Sequence, residues 1–311
     1  MRPRHAKSFV SPFFTLVKVL AVVDLCGHIA WTIDFKVPLT PMFAPHFENI
    51  GPTYLWSFPL FITYYLEFVH TMLVMMTALN RSTALVFPVT HESLWKKMLK
   101  PSIGVSLLLP LCLCFQRLLA PTYTMPFTMG SSNAFVLRSK NPSWYPSGMN
   151  ALFFALFYIV IGVITVMLNI SSCMALTLFK QSKRNNRNNL WQSIQRTEIG
   201  LIIVCFGDLV AMIFMIIIQL TLYWLGIRGL YDDPLYDFMY LQIPWVSDLG
   251  RFIRPFMLLF MSKTVRDAFL SIFSSAISPD ASVHMTGTAV RNNYMSKVSI
   301  ISSPFINDNK K

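Results

Sequence analysis

Ionisable residues that interrupt long apolar stretches are the first candidates for chemistry in this sequence. They are Asp24, His28, Glu67, His70, Asp208, Asp248 and Arg251. Charged groups are costly in an apolar environment, so each predicts a functional site or a polar network inside a helix bundle. Asp24 and His28 are four residues apart and Glu67 and His70 three apart, so each pair shares one helical face. The alternative for every member is a hydrogen bond that only packs neighbouring helices together.

Motifs for catalysis and cofactor binding are absent from the sequence. There is no Walker-type loop, no G-x-G-x-x-G, no H-E-x-x-H and no G-x-S-x-G. The five cysteines lie inside apolar runs, without the tight Cys and His spacing that a zinc site needs. Glu67 and His70 have no evident third partner for nucleophilic catalysis. We therefore expect no enzyme, no cofactor and no metal.

The apolar stretches that carry these residues predict a membrane protein. Of the 311 residues, 54% are hydrophobic and 13% are charged, whereas a typical soluble domain has about 25% charged residues. Only lipid tolerates so much outward-facing apolar surface. We expect an all-α polytopic transmembrane helix bundle over 1–273, followed by a disordered cytoplasmic tail over 274–311. The predicted spans lie at about 9–33, 56–79, 102–120, 148–176, 199–225 and 240–261.

The distribution of basic residues predicts the orientation of these six spans. The two termini and the second and fourth loops carry 18 Lys and Arg residues, and the other three loops carry four. Basic loops stay in the cytoplasm, so both termini are expected inside. The net charge of +12 then reflects membrane topology and predicts no nucleic-acid partner. A signal peptide is the alternative for the first span, but Lys18 and Asp24 interrupt its apolar run.

The second predicted span offers the best candidates for lining a ligand cavity. Glu67 and His70 lie near its middle, and Tyr64 and Tyr65 lie on the turn before them. Ionisable groups beside aromatic rings at this depth can bind a small molecule. We expect these four side chains to line a cavity in the outer half of the bundle.

The remaining charged residues are expected to have simpler roles. Arg251 lies three residues from Asp248 and is expected to neutralise it, or, with Arg254, to extend towards the cytoplasm. Arg117 ends the third span near the outer surface and is expected to reach lipid headgroups.

Three short segments resemble the nematode serpentine chemoreceptors. After the second span come Asn80–Arg81, then Phe87–Pro88, then Trp95–Lys97. The last span and its exit, 244–266, and the start of the first span, 11–24, show the same likeness. The resemblance covers about 9–269 and is closest to class gamma, while class V relatives share much of the pattern.

This resemblance implies a seven-helix receptor that binds small chemical cues and signals through a heterotrimeric G protein. It places the protein in the plasma (ciliary) membrane of sensory cells. Asn80 and Arg81 would contact the G protein, although the acidic residue common before that arginine is Asn80 here. Only six spans are visible, so the resemblance predicts an absent first helix, testable in the reading frame upstream of Met1. The alternatives are a truncated or degenerate copy, a six-helix transporter or channel-like protein, and, less favoured, a membrane enzyme.

Overall fold

The computed structural model describes residues 11–48, 50–127, 134–140, 148–182, 189–231, 233–261, 266 and 269–270. Six long helices and one β-hairpin dominate this part of the chain. The helices are α1 (Pro12–Trp31), α2 (Ser57–Val86), α3 (His91–Cys114), α4 (Met149–Ser182), α5 (Asn189–Ile227) and α6 (Pro234–Met261). The hairpin strands are β1 (Thr122–Pro126) and β2 (Phe135–Ser139). A compact unit ends at Arg266, and the predicted tail over 274–311 lies outside the described residues.

The all-α membrane bundle predicted from composition is confirmed. Five apolar segments of the described chain are long enough to cross a membrane: Pro12–Leu39, Ser57–Val86, His91–Leu119, Met149–Leu178 and Val204–Ile227. The sixth predicted span corresponds to α6, which has the required length but carries too many charged residues to qualify by composition. Its Asp248, Arg251 and Arg254 are all buried against other helices.

α1 begins at a clear sequence signal and changes its geometry at its other end. Ser11 caps it by accepting a hydrogen bond from the backbone N–H of Phe14 at 3.4 Å, and Pro12 occupies the first helical position. After Trp31 the chain forms a π-helical turn over Thr32–Lys36. That wider turn adds a residue to the helix, so Asp34 and Phe35 are buried while Lys36 stays close to α6.

The sequence did not lead us to expect the β-hairpin, which closes one end of the bundle. β1 and β2 pair antiparallel from Thr122 with Ser139 to Pro126 with Phe135. Thr53, just before α2, pairs with Thr122 through two backbone hydrogen bonds of 2.8 and 2.9 Å. We call this the hairpin end. The opposite end, where α2 finishes beside Arg81, is the Arg81 end.

α2 lies at the centre of the bundle, in contact with α1, α3 and α4. Its inner face, including Phe68, packs with aromatic and aliphatic side chains of the surrounding helices, among them Trp31, Phe154 and Met215. In contrast, Val22, Leu25 and other large apolar side chains of α1 are exposed. Large apolar side chains are therefore found on the outer surface as well as in the core, as expected where lipid is the solvent.

Candidate functional site

Glu67 is the centre of a buried cluster that joins four helices. Its carboxylate accepts hydrogen bonds from Arg251 Nη2 at 2.5 Å, Ser247 Oγ at 2.7 Å, Tyr158 OH at 2.9 Å and Trp31 Nε1 at 3.2 Å. These donors come from α6, α4 and α1, and Glu67 itself lies on α2. Glu67 and Arg251 are each 5% exposed. The remaining polar atoms of a buried ion pair also need hydrogen bonds. Both oxygens of Glu67 have them, whereas Nε and Nη1 of Arg251 have no partner within the described structure.

A second cluster lies one turn further towards the Arg81 end. Arg254 Nε is 3.0 Å from both carboxylate oxygens of Asp208, and its Nη2 is 3.4 Å from His70 Nε2. His70 Nδ1 is 2.5 Å from Asp24 Oδ1. Both imidazole nitrogens of His70 are thus in contact with charged side chains of other helices. This cluster therefore links α1, α2, α5 and α6.

A third group of charges lies at the edge between α1 and α6. His28 Nδ1 is 2.9 Å from Asp248 Oδ1, and Lys36 Nζ is 2.8 Å from Asp248 Oδ2. The expectation that Arg251 neutralises Asp248 is therefore wrong, because Arg251 turns to Glu67 instead. Residues three apart on one helix can pair, but here both find better-placed partners on other helices.

The predicted polar network is thus present as geometry, with partners that the spacing did not indicate. Asp24 pairs with His70, not with His28 four residues along, and Asp208 pairs with Arg254. None of the described residues forms a group of three or more His, Cys, Asp or Glu side chains that could hold a metal ion.

A cavity of about 490 Å³ opens at the hairpin end, above the Glu67 cluster. Its size falls within the range of small-molecule sites, roughly 300–1,000 Å³. Aromatic and basic side chains dominate its wall. They are Tyr64, Tyr123, Tyr231, Tyr236, Tyr240, Arg117, Arg138 and Lys140.

The four residues predicted to line one cavity lie at three different positions in the structure. Tyr64 lines the hairpin-end cavity, whereas Tyr65 faces α3 and donates a hydrogen bond to the carbonyl of Leu107 at 3.2 Å. Glu67 and His70 lie deeper, beside a space of only about 30 Å³. A space of that size holds about two water molecules. Their assignment to ligand binding stays a prediction.

Arg117 is the site residue that sequence reasoning misplaced. It is 9% exposed, in the 3₁₀ turn Phe115–Leu119 that follows α3, and does not reach outward to headgroups. Its guanidinium stacks over the ring of Tyr64 at 4.1 Å and donates to Ser139 Oγ at 3.3 Å. The tighter 3₁₀ turn and the hairpin cover it, and neither was expected from the sequence. A basic residue at the end of an apolar run gives no signal for such inward rotation.

At the Arg81 end, Arg81 is held between two helices. Its guanidinium lies 5.2 Å from the centre of the Phe13 ring and its Nη1 is 3.4 Å from Cys205 Sγ. Asn80 beside it is 2% exposed. A cavity of about 280 Å³ between α1, α5 and α6 is lined by both Arg81 and the second cluster, including Asp208.

The relation to known proteins agrees with this architecture. The family model described as "Serpentine type 7TM GPCR chemoreceptor Srv" matches residues 1–275. The chain belongs to this family. The chain is accordingly a multi-pass integral membrane protein of a chemoreceptor family. The resemblance stated from residues 9–269 is confirmed.

Similar proteins with assigned names come from Caenorhabditis elegans. "Serpentine receptor class gamma-14" is 28% identical over 56% of this chain and 51% of its own length. "Serpentine receptor class gamma-10" is 23% identical over 60% of this chain and 57% of its own length. The matches therefore span about half the length of these curated relatives. The chain is thus similar to class gamma members and also matches the Srv family model.

Proposed function

We propose that this protein is a chemosensory receptor that binds a small chemical cue in the hairpin-end cavity and signals through a heterotrimeric G protein at the Arg81 end. The observation that carries the proposal is the cavity of about 490 Å³ directly above the buried charge network. Membership of a chemoreceptor family supports it independently.

Signalling requires the two ends of the bundle to be coupled through groups with discrete arrangements. The Glu67 cluster and the Asp208–Arg254 cluster lie between them and involve α1, α2, α4, α5 and α6. A buried ion pair is either formed or broken, so such pairs favour a small number of discrete helix arrangements. A cue that fits one arrangement better shifts the population towards it.

The Arg81 end supplies the surface for a cytoplasmic partner. Arg81 rests against Phe13 and Cys205, on α1 and α5. If these helices move apart, the guanidinium is released to donate to a carbonyl or carboxylate of a partner protein. Asn80 stands beside Arg81 in place of a carboxylate, and the contacts with Phe13 and Cys205 help to hold the guanidinium.

Accessibility of inserted tags tests the orientation. Tags placed after residues 90, 185 and 300 should be reached by antibody only after the plasma membrane is permeabilised, while a tag after residue 127, where β1 has ended, should be reached on intact cells. Antibody access to any of the first three tags on intact cells would contradict the proposal.

Signalling is tested by expressing the chain in cultured cells with a second-messenger reporter and pooled odorants. A dose-dependent response that requires an added G protein supports the receptor proposal. Flux of a labelled solute through reconstituted vesicles, without any second-messenger response, would replace it with the transporter or channel alternative.

A further inference from the structure

The charged side chains described in the wall of the hairpin-end cavity are all basic. Arg117, Arg138 and Lys140 line it, and no acidic side chain belongs to its wall within the described chain. Arg138 has a partner behind the wall, because its Nη2 lies 3.3 Å from Asp237 Oδ1. Among the described residues, Arg117 and Lys140 are then left without a carboxylate partner, and of these two Arg117 is buried while Lys140 is exposed.

Arg117 is the more informative of these charges. Its side chain is more than nine-tenths buried, and no described carboxylate lies within ion-pair distance of it. Its single hydrogen bond to Ser139 uses one of five N–H donors. Burying a charge is costly unless it is paired. Stacking over Tyr64 offsets part of this cost, and the remaining donors are open to a ligand in the cavity.

Arg138 lines the same cavity and also stacks on aromatic rings. Its guanidinium stacks over Tyr236 at 4.6 Å and Tyr231 at 5.8 Å. Its Nε atom is buried and has no hydrogen-bond partner within the described structure. Stacked, immobilised guanidinium groups are preorganised to bind a planar anion through two parallel hydrogen bonds.

The rest of the wall favours an apolar ligand body. The phenol of Tyr240 is bonded to the carbonyl of Leu137 at 3.1 Å and that of Tyr231 to the carbonyl of Gly226 at 3.0 Å. These two tyrosines therefore offer mainly their rings to the cavity. Leu60 and Ile243 add aliphatic surface deeper in the site.

We infer that the cue is a small organic acid, with a carboxylate bound between Arg117 and Arg138 and an aromatic or aliphatic body packed among the tyrosines. This inference rests on the proposed function, because it names the chemistry of the ligand for the same cavity. A cationic ligand would be repelled by the wall, and a neutral ligand would leave Arg117 unpaired.

Matched acid and amide probes test the inference on the full chain in nanodiscs of zwitterionic lipid. The probes are indole-3-acetate with indole-3-acetamide, and octanoate with octanamide, with Kd measured by calorimetry. We expect at least one carboxylate to bind about tenfold or more tightly than its amide, because a charge-assisted hydrogen bond replaces a neutral one.

Variants then assign the effect to Arg117. Arg117→Gln should weaken carboxylate binding by about tenfold to a hundredfold and leave amide binding within about twofold. Arg117→Lys should restore part of the loss, which shows that the cavity is still folded. Arg228→Gln is the matched control, because Arg228 is exposed at the same end and stacks on Trp224 outside the cavity.

Four outcomes overturn the inference: equal affinity for acid and amide, tighter binding of the amide, no binding of any probe to folded protein, or carboxylate affinity unchanged in Arg117→Gln. A parallel set of nanodiscs with phosphatidylglycerol separates a free acid from a lipid headgroup. Loss of carboxylate binding there would identify lipid as the occupant and overturn the small-molecule assignment. Binding that depends on Arg117 but never promotes nucleotide exchange on a G protein refutes the proposed function and leaves the acid site intact.

Discussion

Replacing Glu67 with glutamine removes one charge from the most heavily bonded side chain of the bundle. Glutamine keeps the shape of glutamate, and its carbonyl can still accept from Ser247 and Trp31, while the hydroxyl of Tyr158 can rotate to accept from the new amide. The loss is therefore chiefly that of the ion pair with Arg251, at 2.5 Å and 5% exposure.

The loss of stability in Glu67→Gln follows from the charge of Arg251 that stays buried. Arg251 Nε and Nη1 already lack hydrogen-bond partners within the described structure, so in Glu67→Gln the guanidinium would be buried without a counter-charge. Breaking a buried pair in this way costs about 3–5 kcal/mol. Because glutamine preserves the hydrogen bonds, we expect the lower limit, about 3 kcal/mol. For a unit of this size that corresponds to a fall of about 6–12 °C in Tm.

Thermal unfolding of the purified protein in nanodiscs, followed by tryptophan fluorescence, measures this fall. Glu92→Gln is the matched control, because Glu92 pairs with Lys96 at 3.0 Å on the exposed surface of α3. That exposed pair contributes only about 0.2–0.5 kcal/mol. The double variant Glu67→Gln with Arg251→Gln should recover part of the lost stability, since no unpaired charge remains. If Glu67→Gln changes Tm no more than Glu92→Gln, the buried cluster does not stabilise the bundle as argued.

Two further predictions concern other positions in the bundle. A Cβ at Gly27 would lie 3.0–3.3 Å from the anchored guanidinium of Arg251, whereas a Cβ at Gly104 would meet nothing within 4 Å. Gly104→Ala should therefore raise the free energy of unfolding by up to about 1 kcal/mol through helix propensity. Gly27→Ala should give a free energy of unfolding about 1–3 kcal/mol lower than that of Gly104→Ala, because the added methyl group overpacks the site. Equal changes of Tm in the two variants would contradict this prediction. Arg81→Ala should abolish second-messenger signalling at unchanged surface expression, and Lys97→Ala should preserve signalling, since Lys97 is exposed on α3. Parallel loss of expression and signalling in Arg81→Ala would leave Arg81 only a role as a membrane anchor.

All six spans could be predicted from the sequence because lipid crossing depends on local composition, and five of them correspond to helices of the described chain that are long and apolar enough to cross a membrane. A run of about 20 apolar residues satisfies its backbone as a helix and its side chains in lipid, whatever its neighbours are. The sixth, at 240–261, was predicted from the same pattern although Asp248, Arg251 and Arg254 lie within it. Its charges are accommodated only because α1, α2 and α5 supply partners.

The hairpin and the position of Arg117 could not be obtained in this way. Thr122, Thr124 and Val136 are β-branched and favour strands weakly, but two five-residue strands become stable only by pairing with each other and with Thr53. Arg117 turns inward because this hairpin covers it and Ser139 accepts from it. The arginines therefore come together in one cavity wall only after the hairpin has packed against the helices at the hairpin end.

By itself, the sequence determined that the protein crosses a membrane with helices, which family it resembles, and which ionisable residues are too costly to be incidental. Only the tertiary structure decided which of those residues meet. The four partners of Glu67 lie 36 to 184 residues away along the chain. Such contacts depend on the rotation and axial position of each helix in the bundle, and the period of a single helix carries no information about either.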